Sequence, residues 1–417
     1  MPAHQKTLHT SSLIIPTLII TIVVDVMGMG LVFPIIPSLI MGHSAILVST
    51  STPANIKMIF YGLAMGAWPA GIFFGTPFLG ELSDRVGRKR ILLFCLSITA
   101  FAYGLACVAI LQQSFLLFLL ARFLAGFSGG SFTIAQAVIT DISRNHQKAR
   151  NLGWITLAAS IGIIIGPAIS SIAVSNTTLS RITMPFWIAM VLALLNCLSL
   201  WILLKETHTP TNNAHLKLQR MFTSFTFIIT DKRTWLLAVT FFLLELGWGF
   251  YIQEIPLVLT QLFHFNARSL GLVFTGLGIA MMVGVLFIQP LLLKHFPLKP
   301  LCIASAIMQA LLFTLVYFMP TLGVNWSVVI LGAIGNLLCY TCCLTLFSDA
   351  VTTKEQGQVM GGTGCIFGAA WMLNALLLGP LMNINLLLPL LLAALCILAS
   401  GAVISPYQPK GATNETR

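Results

Sequence analysis

Long apolar runs broken by short polar segments fill this chain from end to end. Twelve such runs lie near residues 13–40, 58–80, 91–110, 115–140, 152–175, 184–204, 234–260, 270–293, 299–319, 324–348, 358–381 and 384–405. A helix needs about 20 mostly apolar residues to cross a hydrocarbon core of roughly 30 Å, and each run meets or approaches that length. The runs are continuous and do not alternate residue by residue, which excludes the strands of a membrane barrel. Six of them precede a polar stretch at 205–233 that holds seven formal charges together with Pro210, Thr211, Asn212 and Asn213, and six follow it. The pattern predicts an all-α integral membrane protein with twelve transmembrane helices in two six-helix halves. The halves are residues 1–204 and 234–417, the second ending in a short tail, and 205–233 links them.

Composition agrees with the pattern: 57% of the 417 residues are hydrophobic and 8% are charged, against about 25% charged in a soluble domain. The net charge of +11 could mark a nucleic-acid surface, but its distribution is a topology signal. If the chain starts inside, eighteen of its 22 basic residues fall on that side, only Lys57, Arg181 and Arg268 fall on the other, and Arg122 lies within a span. The positive-inside rule then puts both termini and the linker in the cytoplasm. A secretory signal is not expected at the N-terminus, because the first run is too long, contains Pro16 and Asp25, and leads to no clear small-residue cleavage site. The nine cysteines sit in or beside apolar spans, as small unpaired thiols do, and no histidine lies near the Cys339/Cys342 pair, so no metal or cofactor is expected.

Chemistry is concentrated at few positions. The segment between the second and third spans reads GELSDRVGRKR, from Gly80 to Arg90; glycines at 80 and 87 favour a tight turn there, and Asp84 can pair with the basic cluster. Arg122 and Asp25 lie in apolar runs, where an unpaired charge costs roughly 2.5–3.5 kcal/mol on insertion scales. Helix rise puts Asp25 about 18 Å and Arg122 about 19 Å from the cytoplasmic side, so they are expected to be a pair, or close, near the midplane. Glu245 is a second intramembrane acid, in the seventh span, while Glu254, on the opposite helix face and before Pro256, reads as an interfacial charge. A weak repeat links the halves. Asp141, Arg150 and Gly153 near the fourth span correspond in spacing to Asp349, Gln358 and Gly361 near the tenth, and Gly166-Pro167 is echoed by Gly379-Pro380.

The ordered Gly80–Arg90 pattern resembles the signature loop of the major facilitator superfamily. Arg122 with Gly126 matches that family's R-x-x-x-G in the fourth helix, and Gly162, Gly166 and Pro167 match the core of its antiporter motif. The first helix, DVMGMGLVFPIIP from Asp25 to Pro37, is similar to that of the drug/proton antiporter group, including tetracycline/proton antiporters and multidrug exporters. The resemblance implies a cytoplasmic gate of Gly80, Asp84, Arg85, Gly87, Arg88, Asp141 and Arg150, and proton coupling by Asp25 and Arg122; Glu245, as a costly intramembrane acid, is expected to join them as a second proton site or to act on the substrate. It also implies a bacterial cytoplasmic (inner) membrane location and a monomeric transport unit. Two features depart from the group: Ser170 and Ser171 stand where further glycines are usual, and Glu245 has no counterpart in tetracycline antiporters. Glycines 162 and 166 with Pro167 are expected to let the fifth helix bend or pack at the interface between the halves.

Glu245, Trp248, Tyr251, Gln253, Asn336, Tyr340, Trp371 and Asn374 are expected to give a substrate cavity in the second half its polar handles. The expected function is proton-coupled export of a small organic molecule, a drug-like compound or metabolite, by alternating access. The alternative is proton-coupled import of a nutrient, siderophore or other metabolite. The partners are therefore the substrate, protons and the lipid bilayer, with no nucleic acid. An intramembrane enzyme is disfavoured, since no nucleophile and base or metal-type histidines cluster at one depth, and ATP is not needed because no phosphate-cradling Gly-rich loop with its Lys is present.

Overall fold

The structure, a computed structural model, describes residues 14–41, 45–142, 145–173, 179–206, 223–352 and 355–408. The first half contains α1 (Ile14–Val32), α2 (Ala54–Val86), α3 (Arg88–Leu111), α4 (Phe115–Phe127, resuming as Gly130–Ile142), α5 (Asn145–Ala173) and α6 (Leu179–Leu203). The second half contains α7 (Trp235–Phe263), α8 (Ala267–His295), α9 (Leu298–Phe318), α10 (Leu322–Ala350), α11 (Gln356–Ile384) and α12 (Leu388–Ile404). Short helices Ile36–Ile40 and Thr223–Thr230 follow α1 and precede α7. Most of the linker lies outside the described residues.

Large apolar side chains face outward: Ile172 is 80% exposed, Leu116 75% and Phe287 68%. A surface of that kind is stable against lipid and not against water. The backbone polar groups in turn are satisfied within helices, and π-helical turns Gly284–Ile288 and Val328–Gly332 interrupt α8 and α10.

Packing repeats between the halves. In the first, α1 packs on α5, α2 on α4, and α3 on α4 and α6; in the second, α7 packs on α11, and α9 on α10 and α12. Two seams join the halves, α2 with α11 and α5 with α8. Adding six to the helix numbers of the first half, and subtracting six from the second, turns one seam into the other. Small residues permit the approach: Gly62 and Gly66 back onto Ala375, and a Cβ at Gly379 would come within 2.6 Å of the Met58 carbonyl oxygen.

The two ends of the bundle differ. At the far end, opposite the Gly80–Arg90 segment, Tyr61 donates to the Gln253 carbonyl (2.7 Å), Ser171 to the Arg268 carbonyl (3.0 Å) and Asn383 to the Asn55 carbonyl (3.0 Å), and Phe33 stacks on Phe274 at 5.6 Å. The α2–α11 seam continues as far as Phe73 against Gly368 and Thr76 against Gly364. It stops there: one turn beyond Thr76, no described atom lies within 4 Å of the place a Cβ would take on Gly80. The halves are joined at the far end, and at the other, here called the latch end, the signature glycine packs on none of the described residues.

Gly80 also corrects the expected turn. It lies inside α2, which runs to Val86, and the chain reverses at Gly87 alone, whose φ of +112° suits a residue without a Cβ.

Candidate functional site

In the first half, α4 breaks at Ser128 and Gly129, and this break turns Ser131 toward α1. Its hydroxyl lies 2.5 Å from Asp25 Oδ2 and 2.8 Å from the Ser128 carbonyl oxygen, so it has two acceptors to choose between. Thr99 of α3 donates to Ser128 Oγ at 2.8 Å, extending the polar chain across three helices. The expected ion pair is not formed: among the described residues Asp25 has no cationic partner, and Arg122 Nε and Nη2 are buried without a hydrogen bond. Tyr103 lies within electrostatic reach of both groups and presses its hydroxyl against Gly28. Ser131 and Tyr103 were not singled out from the sequence. Tyr103 is the one tyrosine of α3, which was the available signal.

In the second half, Glu245 is 2% exposed and its Oε2 accepts a hydrogen bond from Trp371 Nε1 at 2.9 Å. Trp371 stacks on Phe367 with centroids 4.9 Å apart, and its carbonyl accepts from Gln253 Nε2 at 3.3 Å. Tyr340 lies within electrostatic reach of Glu245 and packs 5.5 Å from Phe241. The Asn374 amide abuts Gly249, and neither its oxygen nor its nitrogen has a partner among the described residues; Asn336 Oδ1 is likewise unpartnered, one turn before Tyr340. Trp248 and Tyr251 do not join this group. Both turn to Phe313 of α9, at 6.4 and 4.9 Å, on another face of α7.

In the packing repeat α7 is the counterpart of α1, so Asp25 and Glu245 stand on corresponding helices of the two halves. Each acid is held by one neutral donor and by no cation among the described residues.

At the latch end Arg88 Nη2 lies 3.6 Å from Asp84, whose side chain is 60% exposed, and Arg85 pairs with Glu81. Glu206 accepts from the backbone N–H of Arg88 (2.8 Å) and of Lys89 (3.4 Å), placing a carboxylate on the positive end of the α3 dipole. Glu81 and Glu206 thus contact residues of the expected gate; the side chains of Asp141 and Arg150 lie outside the described residues. In the second half, Arg233 bridges Asp231 (2.7 Å) and Glu355 (2.9 Å), tying the start of α7 to the start of α11. Hydrogen bonds from Arg233, with two from Thr352, hold the Glu355 carboxyl down at about 2, and Asp231 and Glu355 push the Arg233 guanidinium up.

In the Gly162, Gly166 and Pro167 motif the glycines face α1, while Pro167 lies at the seam with α8. A Cβ at Gly162 would meet the Val23 carbonyl oxygen at 2.8 Å, one at Gly166 would meet Met27, and Pro167 touches Gly30, so the glycine face lies on α1 within the same half. The seam between halves is supplied from α8, whose Gly271 and Gly278 approach Pro167 and Ile164. The serines that replace glycines have uses of their own: Ser170 donates to the Leu31 carbonyl of α1 (2.5 Å) and Ser171 to α8 across the seam.

Comparison with known proteins agrees with this geometry. A family profile described as Major Facilitator Superfamily matches residues 18–375. The chain is 27% identical over 356 residues to the tetracycline resistance protein, class C, of Escherichia coli, covering 83% of this chain and 84% of that one. It is 22% identical to the quinolone resistance protein NorA of Staphylococcus aureus (strain MSSA476), covering 91% and 92%. Among solved structures, the human organic anion transporter MFSD10 (TETRAN) superposes with a TM-score of 0.71 at 18% identity, covering 94% and 98%, and a D-xylose-proton symporter with 0.73 at 13%, covering 96% and 98%. Those two likenesses show the fold.

Proposed function

Since the chain belongs to the Major Facilitator Superfamily and is a membrane transporter, not an enzyme, we propose that it exports a small organic molecule in exchange for protons. One observation carries the reading: Asp25 and Glu245 stand on corresponding helices of the two halves, each hydrogen-bonded to a neutral donor and, among the described residues, neither tied up in a salt bridge. A carboxylate locked to a cation would be a structural ion pair; one held by a hydroxyl can lose and regain its proton. Ser131 makes the exchange inexpensive. When Asp25 is ionised the hydroxyl donates to it, and when Asp25 is protonated the hydroxyl turns to the Ser128 carbonyl and accepts the new O–H.

Glu245 serves the substrate. A carboxylate beside stacked Trp371 and Phe367, with Tyr340 near, favours a flat or cationic compound. The latch end faces the cytoplasm, as the basic residues around it favour, so the sealed far end makes this a state that admits substrate from inside. Protonation from outside and release inside then drive the halves between the two openings. The names of the similar resistance proteins support export.

Purified protein in liposomes tests the direction of coupling with a tetracycline, a fluoroquinolone and ethidium as probes. Antiport predicts accumulation when the lumen is acidic and none when the exterior is acidic, whichever way the protein inserts. Accumulation only under exterior acid would mean symport and import.

A further inference from the structure

Glu254 is the most completely buried acid of the described chain, at 0% exposure, and the exchange chemistry above does not use it. It is not the interfacial charge its sequence position implied. Neither carboxyl oxygen has a hydrogen-bond partner among the described residues. Nine residues after Glu245, it projects from the opposite face of α7, the face on which Gly247 packs against Ala393 and Ile397 of α12. It is therefore outside the Glu245–Trp371 group.

What encloses this part of α7 comes partly from the other half. Tyr61 of α2, itself 0% exposed, donates to the carbonyl of Gln253, the adjacent residue, and lies within electrostatic reach of Glu254; the short helix Ile36–Ile40 also packs on α7. The groups around Glu254 offer no counter-charge. Tyr61 and Tyr251 are the titratable groups within its reach. The helices α11 and α12 and the segments Ile36–Ile40 and Thr223–Thr230 contain no Asp, Glu, Lys, Arg, His or Tyr. On α10, Tyr340 interacts with Glu245 and Asp349 lies near the latch end. Lys57 of α2 is one turn from Tyr61 but donates to the Thr50 carbonyl, and His264 and Arg268 lie beyond the end of α7 and at the start of α8.

We propose that Glu254 is a second proton-binding site that belongs to the far-end seal: it carries a proton while the halves are closed there and gives it up to water when they part. An ionised carboxylate enclosed without a donor or cation is strongly disfavoured, whereas the neutral acid is tolerated. Separation of the halves withdraws Tyr61 and the Ile36–Ile40 helix, admits water and makes ionisation inexpensive. Acid outside then favours closure at the far end and alkali favours opening. This rests on the alternating-access reading but not on the exchange role of Asp25.

The test uses the whole protein in lipid nanodiscs without substrate. Hydrogen–deuterium exchange of residues 46–60 and 256–266 is followed against pH and corrected for the intrinsic exchange rate, and the carboxylic-acid carbonyl band is followed by infrared spectroscopy. One linked proton changes the opening equilibrium by at most about tenfold per pH unit. Wild type is expected to approach that dependence, and Glu254→Gln, which cannot ionise, to stay protected across the range and to lack one acid-carbonyl band at low pH. Glu254→Asp should restore the dependence, and Tyr61→Phe should raise far-end exchange several-fold even in acid. Asp25→Asn should leave the far-end response in place, which separates this site from the exchange acid. An unchanged pH response in Glu254→Gln, or the same acid-carbonyl bands as wild type, would overturn the proposal; absence of gradient-driven transport by the wild type in liposomes, with the far-end response intact, would count against the exchange reading alone.

Discussion

At the scale of residues, the hydroxyl of Ser131 and the indole of Trp371 each offer one hydrogen bond and no charge to an acid, Asp25 and Glu245 respectively. That Asp25, Arg122 and Glu245 are special was readable in the chain, since a charge in an apolar run is costly enough to need a reason. Their partners were not. Depth alone put Asp25 and Arg122 at one level, but pairing depends on which way each helix is turned, and the break at Ser128–Gly129 turns Ser131 to Asp25 instead. The same limit applies to Trp248 and Tyr251, whose side of α7 is decided by the helices around it. Glu245→Gln retains size and the bond from Trp371 but cannot carry charge. It should weaken binding of cationic probes by about tenfold or more, the size of a charge-assisted contact in a buried site, with little effect on neutral ones. Equilibrium binding of matched charged and neutral dyes measures this.

At the scale of elements, the spans were legible from composition and length, and the structure places a helix in each. Less legible was what each helix touches. The spacing of Gly162 and Gly166 marks a close contact but not its partner, which proves to be α1. Gly166→Val would drive two methyl groups into the backbone at Met27 and Leu31, an overpacking that costs about 1–3 kcal/mol or more; a fall in thermal unfolding temperature, larger than for Ser170→Ala, would show it. Glu355 gives a pH-dependent counterpart. Its carboxyl is held at about 2 by Arg233 and Thr352, so its contribution to stability is present above the ordinary carboxylate range and is lost as pH falls toward 2. Glu355→Gln should therefore lower stability slightly at neutral pH and flatten the acid side of the unfolding profile, with the difference from wild type vanishing near pH 2.

At the scale of the whole molecule, the proposed alternating access reads the far-end bonds, and the lack of described residues beside Gly80, as one of its two states. The sequence supports two halves through the polar stretch at 205–233 and the faint repeat, yet it does not indicate which end is shut, because that depends on contacts between residues hundreds of positions apart. The account turns on Asp25 as the acid whose proton is exchanged for substrate. The most direct measurement is gradient-driven uptake and counterflow by wild type and Asp25→Asn in the same liposomes with an acidic lumen, using a probe that wild type accumulates. The account predicts that Asp25→Asn loses gradient-driven accumulation while still exchanging labelled for unlabelled probe across the membrane. Full accumulation by Asp25→Asn, with the loss found in Glu245→Gln instead, would contradict it and place the exchanged proton in the second half.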